Sequence, residues 1–187
     1  MLQTQSQPLT LEDFLKLPET KPASEYINGQ IVQKPMPQGK HSTIQGELVT
    51  AINNIAKPRK IALAFPELRC TFGERSIVPD IAVFTWQRIP VDENGDVANV
   101  FTTAPDWMIE ILSPGQSLAK VTRNILHGLT YDCQLGWLID PEEKLVIAYP
   151  TGKQPELFEE DNDALPVPNF LAELQFKLAD LFVWLKL

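Results

Sequence analysis

Two acidic residues lie inside short apolar stretches of this sequence, where a charged side chain is not expected. Glu110 is the single charged residue in WMIEIL (107–112), and Asp80 interrupts IVPDIAVF (77–84). Turn-forming residues flank both stretches, which predicts short buried strands. A carboxylate that leaves water on folding needs a cation, a metal or a proton to compensate its charge. If the two strands are neighbours, the carboxylates converge, and a hard divalent cation would stabilise both.

A structural role for the two acids is the alternative explanation. Acids in strands are more often placed at a sheet edge or paired with arginine, and Arg69 or Arg75 could pair with Asp80 and Glu110. The sequence has 2 cysteines and 2 histidines, without the spacing of a zinc site. Any metal would therefore be held by oxygen atoms, which favours magnesium, manganese or calcium.

Apolar periodicity and turn residues predict the elements that must position the two acids. A capped helix is expected to begin at Thr10 and to stop at Pro18, and the Asn28-Gly29 turn predicts a hairpin. Further helices are predicted at 41–56 and 118–129, and strands at 61–65, 68–72, 77–84, 107–112, 135–139 and 144–149. The segment 86–104 is predicted to be a long excursion with a hairpin of its own, serving as a lid or a mobile loop.

Size and composition predict one soluble α/β domain. The 187 residues fit a single domain, 1–187, with 1–9 as a flexible tail, and 44% apolar with 21% charged residues is typical of a globular protein. The expected architecture is a mixed central sheet flanked by helices. The sequence shows neither a signal peptide nor an apolar run of membrane-spanning length, so we expect a cytoplasmic protein without a membrane partner.

Two features of the whole chain bear on its partners. With 16 basic and 24 acidic residues the net charge is −8, which argues against a wide basic surface for nucleic acid but leaves room for a local basic patch. The C-terminal residues 176–185 are very apolar for a chain end, which predicts either core packing or a contact within a homodimer.

The residues around the two acids resemble a known nuclease signature. Pro79-Asp80 followed by Glu110-Ile111-Leu112 is similar to the PD-(D/E)XK signature of the restriction endonuclease-like superfamily, except that Leu112 stands where the signature has lysine. A longer set of stretches, spanning nearly the whole chain, resembles one branch of that superfamily, the Uma-two family of restriction endonuclease-like proteins. The matching stretches are 11–15, 25–29, 78–83, 105–114 and 137–141, with His41 opening the long helix.

This resemblance implies a fold, an activity and a set of site residues. The fold would be a restriction endonuclease-like core, and the activity would be metal-dependent hydrolysis of phosphodiester bonds in nucleic acid, with DNA as the expected substrate. Asp80, Glu110 and the backbone carbonyl of Ile111 would hold Mg²⁺ or Mn²⁺. Family members carry the missing lysine on the helix after the Glu strand. This sequence has Asn124 at that position, so Lys120, one turn earlier, is the expected catalytic substitute.

The position of Lys120 gives this expectation some independent support. If Ser117 caps the helix, Lys120 lies in its first turn, where the helix dipole disfavours a cation, so stability alone would not favour lysine there. A nearby phosphate would suit both the ammonium and the helix N-terminus. Lys120, Asn124 and His127 share one stripe of the helix and could line a site together. An ordinary exposed lysine is the alternative.

Three residues from the first part of the chain are auxiliary candidates through the same resemblance. It suggests a further acid near the metal, with Glu47 preferred over Glu25, and His41 beside them; a structural role is the alternative for each. Two other functions remain open: a catalytically degenerate nuclease fold that binds nucleic acid or protein, and a structural dimer formed through the apolar C-terminus. The residue at Leu112 and the net charge of −8 favour the degenerate fold.

Overall fold

The structure, a computed structural model, describes residues 9–187. The described residues form four α-helices: α1 (Leu11–Leu15), α2 (Gly39–Ala56), α3 (Leu118–Leu129) and α4 (Leu178–Val183). The same part of the chain forms twelve strands: β1 (Ser24–Ile27), β2 (Gln30–Gln33), β3 (Ala62–Pro66), β4 (Cys70–Phe72), β5 (Arg75–Ile77), β6 (Ile81–Thr85), β7 (Trp107–Ile111), β8 (Leu135–Asp140), β9 (Leu145–Pro150), β10 (Glu156–Phe158), β11 (Ala164–Leu165) and β12 (Phe176–Lys177). The predicted flexible tail at 1–9 lies outside the described residues except for Leu9.

A six-stranded mixed sheet forms the centre of the molecule, in the order β10-β9-β8-β7-β6-β3. β7 and β8 run parallel, and the other neighbours are antiparallel. Parallel neighbours need a crossover connection, and α3 supplies it between β7 and β8. The expected mixed sheet flanked by helices is therefore confirmed.

Each face of the sheet is covered by its own apolar cluster. Alternate residues of a strand point to opposite faces, so Trp107, Ile109 and Ile111 of β7 pack towards α2 and α4. Met108 of the same strand packs on the other side, towards α3. Glu110 therefore points to the α3 face of the sheet, one residue before the end of β7.

A smaller sheet, in the order β2-β1-β5-β4, lies beside the end of the central sheet. Asn28 and Gly29 connect β1 to β2 with φ angles of 51° and 80°, as a two-residue hairpin turn requires. β5 leads directly into β6 through Val78 and Pro79. Because proline has no N–H to donate to a ladder, the strand predicted at 77–84 is divided here, and Asp80 stands just before β6.

The predicted helices α1 and α3 and the predicted hairpin within 86–104 are present in the structure. The helix at 118–129 has the predicted bounds, and α1 begins after its Thr10 cap. The excursion 86–104 carries the expected hairpin as a bridge between Val91 and Val97, and Arg88 Nη1 ties it to Asp106 Oδ1 at 2.7 Å.

The apolar C-terminus packs mainly into the core rather than onto the surface. Leu178, Leu181 and Phe182 of α4 are buried in the cluster that α2 covers. Of the two roles predicted for this segment, core packing is the one that the structure shows. Within the described part of the chain, the search for a helix of membrane-spanning length and hydropathy is negative.

Candidate functional site

The two acids predicted from the sequence lie side by side at the end of the central sheet. β6 and β7 are antiparallel neighbours in which Ile81 is opposite Ile109, so extending this register by one residue places Asp80 opposite Glu110. Only 2% of each acid is exposed. Asp80 Oδ2 accepts a hydrogen bond of 2.7 Å from the backbone N–H of Ile111, which fixes the carboxylate against β7.

The cation that compensates these acids is Lys34, a residue that sequence reasoning missed. Its Nζ lies 2.6 Å from Asp80 Oδ1 and 3.4 Å from Glu110 Oε2. The two arginines of the structural alternative pair elsewhere: Arg69 contacts Glu19, and Arg75 contacts the turn of the first hairpin. Lys34 immediately follows β2, in a stretch that reads as a hairpin end, and no pattern in its neighbours signals proximity to the acids.

Lys34 and Glu25 attach the first hairpin to the strand break before Asp80. Lys34 Nζ donates to the carbonyl of Val78 at 2.7 Å, while Glu25 Oε1 accepts from the N–H of Val78 at 2.8 Å. Glu25 Oε2 accepts from Asn124 Nδ2 of α3 at 3.1 Å. The hairpin, the sheet and α3 thus meet at one point, and two auxiliary candidates, Glu25 and Asn124, are part of it.

His41, a third auxiliary candidate, approaches Asp80 from the first turn of α2. Its Nε2 lies 3.4 Å from Asp80 Oδ1, without the alignment of a good hydrogen bond. Its Nδ1 lies 3.3 Å from Ser113 Oγ in the loop after β7. Gln45 of the same helix donates to the backbone carbonyl of Asp80 at 2.8 Å. Through His41 and Gln45, α2 therefore contacts both the side chain and the backbone carbonyl of Asp80.

Burial and charge move the pKa values of the cluster in opposite directions. Burial dominates for Glu110 and Glu25 and raises the pKa of both carboxyl groups, despite the nearby ammonium of Lys34. Burial would also raise the pKa of Asp80, but the Lys34 and His41 contacts outweigh it and lower that pKa. Burial opposes the charge of Lys34, yet the three carboxylates raise its pKa. Asp80 and Lys34 thus form the ion pair of the cluster, while burial disfavours the ionised forms of Glu110 and Glu25 relative to free carboxyl groups.

A cavity of about 480 Å³ opens beside the two acids. Its walls come from the first hairpin on one side and from the loop and first turns of α3 on the other. Glu110, Lys34, Lys120 and Asn124 all contribute to its lining, together with Arg123. Lys120 is exposed and lies in the first turn of α3, after the predicted cap Ser117. The predicted substitute lysine therefore shares the cavity with the acids.

Two residues that the sequence placed near the site lie elsewhere. Glu47, the preferred extra acid, is exposed on α2, and His41 and Gln45 are the residues through which that helix reaches Asp80. His127 shares the predicted stripe of α3 but stacks on Phe72, with ring centroids 5.0 Å apart. At this point of α3 the helix contacts β4 of the smaller sheet, and His127 Nε2 lies 3.2 Å from the Phe72 carbonyl.

The residues of the site fit a hard divalent cation. In residues 9–187, no three His, Cys, Asp or Glu side chains are grouped closely enough to hold a metal alone. Magnesium does not require such a group, because it keeps several waters and binds one or two carboxylates. Glu110 Oε1 is buried and has no hydrogen-bond partner within the described chain. The N–H of Ile111 points to Asp80, and in an extended strand the carbonyl of the same residue points to the same side.

Comparisons with known proteins find relatives over nearly the whole chain. The Uma2 family model, described as "Putative restriction endonuclease", matches residues 11–179. A crystal structure described as a putative nuclease from Anabaena variabilis ATCC 29413 is 61% identical, and the match covers 95% of this chain and 99% of that chain with a TM-score of 0.94. A search of the curated proteins finds no match. The chain belongs to the Uma2 family of putative restriction endonucleases.

Proposed function

We propose that this protein is a metal-dependent nuclease that hydrolyses phosphodiester bonds, with DNA as its substrate. The observation that carries the proposal is the buried pair Asp80 and Glu110, of which Glu110 lines the cavity and has one oxygen that lacks a partner among the described residues. A buried acceptor without a donor is costly for folding, and a bound ion is one way in which such a group is satisfied. Membership of the Uma2 family supports a nucleic acid as the substrate.

In this proposal Asp80, Glu110 and the carbonyl of Ile111 hold Mg²⁺ or Mn²⁺. When bound, the ion supplies Lewis-acid activation of the scissile phosphate and of the attacking water. In the reaction a water oxygen forms a bond to phosphorus, the bond to one sugar oxygen breaks, and the departing oxygen gains the proton that the water loses. Asp80 is suited to the first ligand position because its hydrogen bond from the N–H of Ile111 fixes its orientation.

Lys120 would act on the substrate from the cavity wall. Its ammonium, the neighbouring Arg123 and the N-terminal end of α3 together make one positive wall on a chain whose net charge is −8. We propose that this wall binds the phosphates next to the scissile bond, where Lys120 neutralises charge that develops during the reaction. Glu25 and Asn124 would orient this wall against the hairpin.

A degenerate nuclease fold that binds without cutting is the second candidate. Two observations favour it: Leu112 replaces the signature lysine, and the ammonium of Lys34 already compensates the acids.

We further propose a cytoplasmic location, and any homodimer would have to use surfaces other than the buried part of α4.

A cleavage assay with matched variants separates the two candidates. Plasmid, linear and single-stranded DNA are incubated with Mg²⁺ or Mn²⁺ and with wild type, Asp80→Ala or the exposed-site control Glu156→Ala. We expect wild type and the control to cut DNA and Asp80→Ala, shown to be folded by circular dichroism, to lose at least about a hundredfold in rate. Equal traces of cutting in all three proteins would reject the enzyme and leave the binding module.

A further inference from the structure

We propose that Lys34 is the lysine of this active site, supplied by the end of β2, and that its ammonium acts on the scissile phosphate beside Asp80 and Glu110. The inference rests on the proposed nuclease function and deepens it. It assigns to a residue of the first hairpin the role that the signature gives to position 112. Lys34 would act as a fixed positive charge and hydrogen-bond donor, keeping its protons throughout.

The ammonium of Lys34 is in contact with both carboxylates that are proposed to bind the metal. Lys34 Nζ lies 2.6 Å from Asp80 Oδ1 and 3.4 Å from Glu110 Oε2. Its side chain is 13% exposed, and it lines the cavity together with Glu110. A cation held in a site from which water is largely excluded interacts far more strongly with a phosphate than one at the surface.

Position 112, where the signature has its lysine, is occupied by leucine in this chain. Leu112 is partly buried and packs against the apolar cluster that α3 covers. Because leucine carries no charge, the ammonium that the signature supplies from position 112 would have to come from another element. The described residues place Lys34 beside the acids.

Lys34 and Lys120 both line the cavity, but their contacts with the two acids differ. Lys120 is exposed on the rim, and no hydrogen bond joins it to either acid in residues 9–187. Lys34 contacts both acids directly and is held in place by the carbonyl of Val78. The geometry therefore favours Lys34 at the reaction centre and Lys120 at the flanking phosphates.

A purely structural role for Lys34 is the competing explanation. Its bond to the Val78 carbonyl satisfies a backbone group at the strand break, and its charge offsets buried acids. In that case its removal would disturb the carboxylates and weaken metal binding. A catalytic Lys34 predicts the opposite, because its ammonium and a divalent cation compete for the same oxygens.

The test compares Lys34→Met and Lys120→Met with wild type and with the exposed-site control Lys153→Met. Each protein is measured for thermal melting, for Mn²⁺ affinity by calorimetry, and for kcat and KM on a DNA substrate. For Lys34→Met we expect a kcat at least about 100-fold lower with Mn²⁺ affinity equal to or tighter than that of wild type. For Lys120→Met we expect mainly a higher KM. Lys34→Gln, which can still donate to the Val78 carbonyl, replaces Lys34→Met if that protein does not fold.

Three results would overturn the proposal. A folded Lys34 variant with a kcat within about threefold of wild type would show that the lysine is dispensable. Loss of Mn²⁺ binding together with activity would assign Lys34 to holding the carboxylates in place. Wild-type protein that does not cut would reject the nuclease function and this inference with it, whereas active wild type with an active Lys34 variant rejects the inference alone.

Discussion

The buried cluster at the candidate site holds three carboxyl groups around one ammonium. Asp80, Glu110 and Glu25 surround the single ammonium of Lys34, in a space that solvent barely reaches. If all three acids were ionised, the cluster would have an uncompensated buried charge, which is why the pKa values of Glu110 and Glu25 are raised. A fold selected for stability alone would not retain such a cluster, and perturbed carboxyl groups in a cavity are typical of functional sites.

Replacing Glu110 by glutamine should stabilise the metal-free protein at alkaline pH. The pKa of Glu110 is raised above its ordinary value of 4.5 in the folded state, so folding is penalised once the unfolded chain ionises. The penalty is absent below pH 4.5, grows as the pH rises from there, and levels off above the folded pKa.

Thermal melting with a chelator, at pH 4 and at pH 8, measures this effect. Glu110→Gln should melt several degrees above wild type at pH 8 and at nearly the same temperature at pH 4. The control Glu156→Gln, on the edge strand β10, should match wild type at both pH values. A Glu110→Gln protein less stable than wild type at pH 8 would show that Glu110 is held ionised by Lys34.

At the scale of elements, close packing of α3 on β8 determines where the cavity wall stands. Gly136 of β8 lies directly under α3, and a Cβ at this position would overlap Ile125. Gly128 of α3 similarly faces Met108 of β7. These two glycines let the helix approach the sheet closely, and the first turns of α3 then bring Lys120 and Asn124 to the cavity.

An alanine at Gly136 should therefore destabilise the fold and displace the cavity wall. Overpacking of this kind costs about 1–3 kcal/mol. Urea unfolding of Gly136→Ala should show the loss, and its KM for DNA should rise because α3 moves. Gly46→Ala is the matched control: Gly46 lies in α2 with open space around it, so alanine there should stabilise by up to about 1 kcal/mol. Equal stability of the two variants would contradict this account of α3.

At the scale of the whole molecule, net charge and local charge point in opposite directions. The chain carries a net charge of −8, yet three of the cationic side chains, Lys34, Lys120 and Arg123, line one cavity. A long-range attraction to nucleic acid is therefore not expected, and binding must depend on local contacts and on a metal that bridges the acids to phosphate.

Divalent metal should accordingly stabilise the whole fold, and more strongly at higher pH. A ligand that binds only the folded state adds about 2.7 kcal/mol when its concentration is 100 times its dissociation constant. Because burial raises the pKa of the Glu110 carboxyl and the ion binds its ionised form, the melting-temperature increase with Mn²⁺ should be larger at pH 8 than at pH 5.5. Asp80→Asn should abolish the increase. A shift that is independent of pH would mean that Glu110 is not a ligand.

The sequence by itself determined most strands of the central sheet, the helices α2 and α3, and the two central acids. Apolar runs bounded by turn residues predict β7 and the ends of α3, and an acid in each of two apolar stretches is visible without coordinates because such residues are rare there. The tertiary structure alone decided which groups complete the site. Lys34 is 46 residues from Asp80 and 76 from Glu110, and only the packing of the first hairpin across the strand break brings it to them. The tertiary structure also decided that Glu47 is exposed on α2. The sequence could not show this, because helical periodicity does not reveal how a helix is rotated against its neighbours.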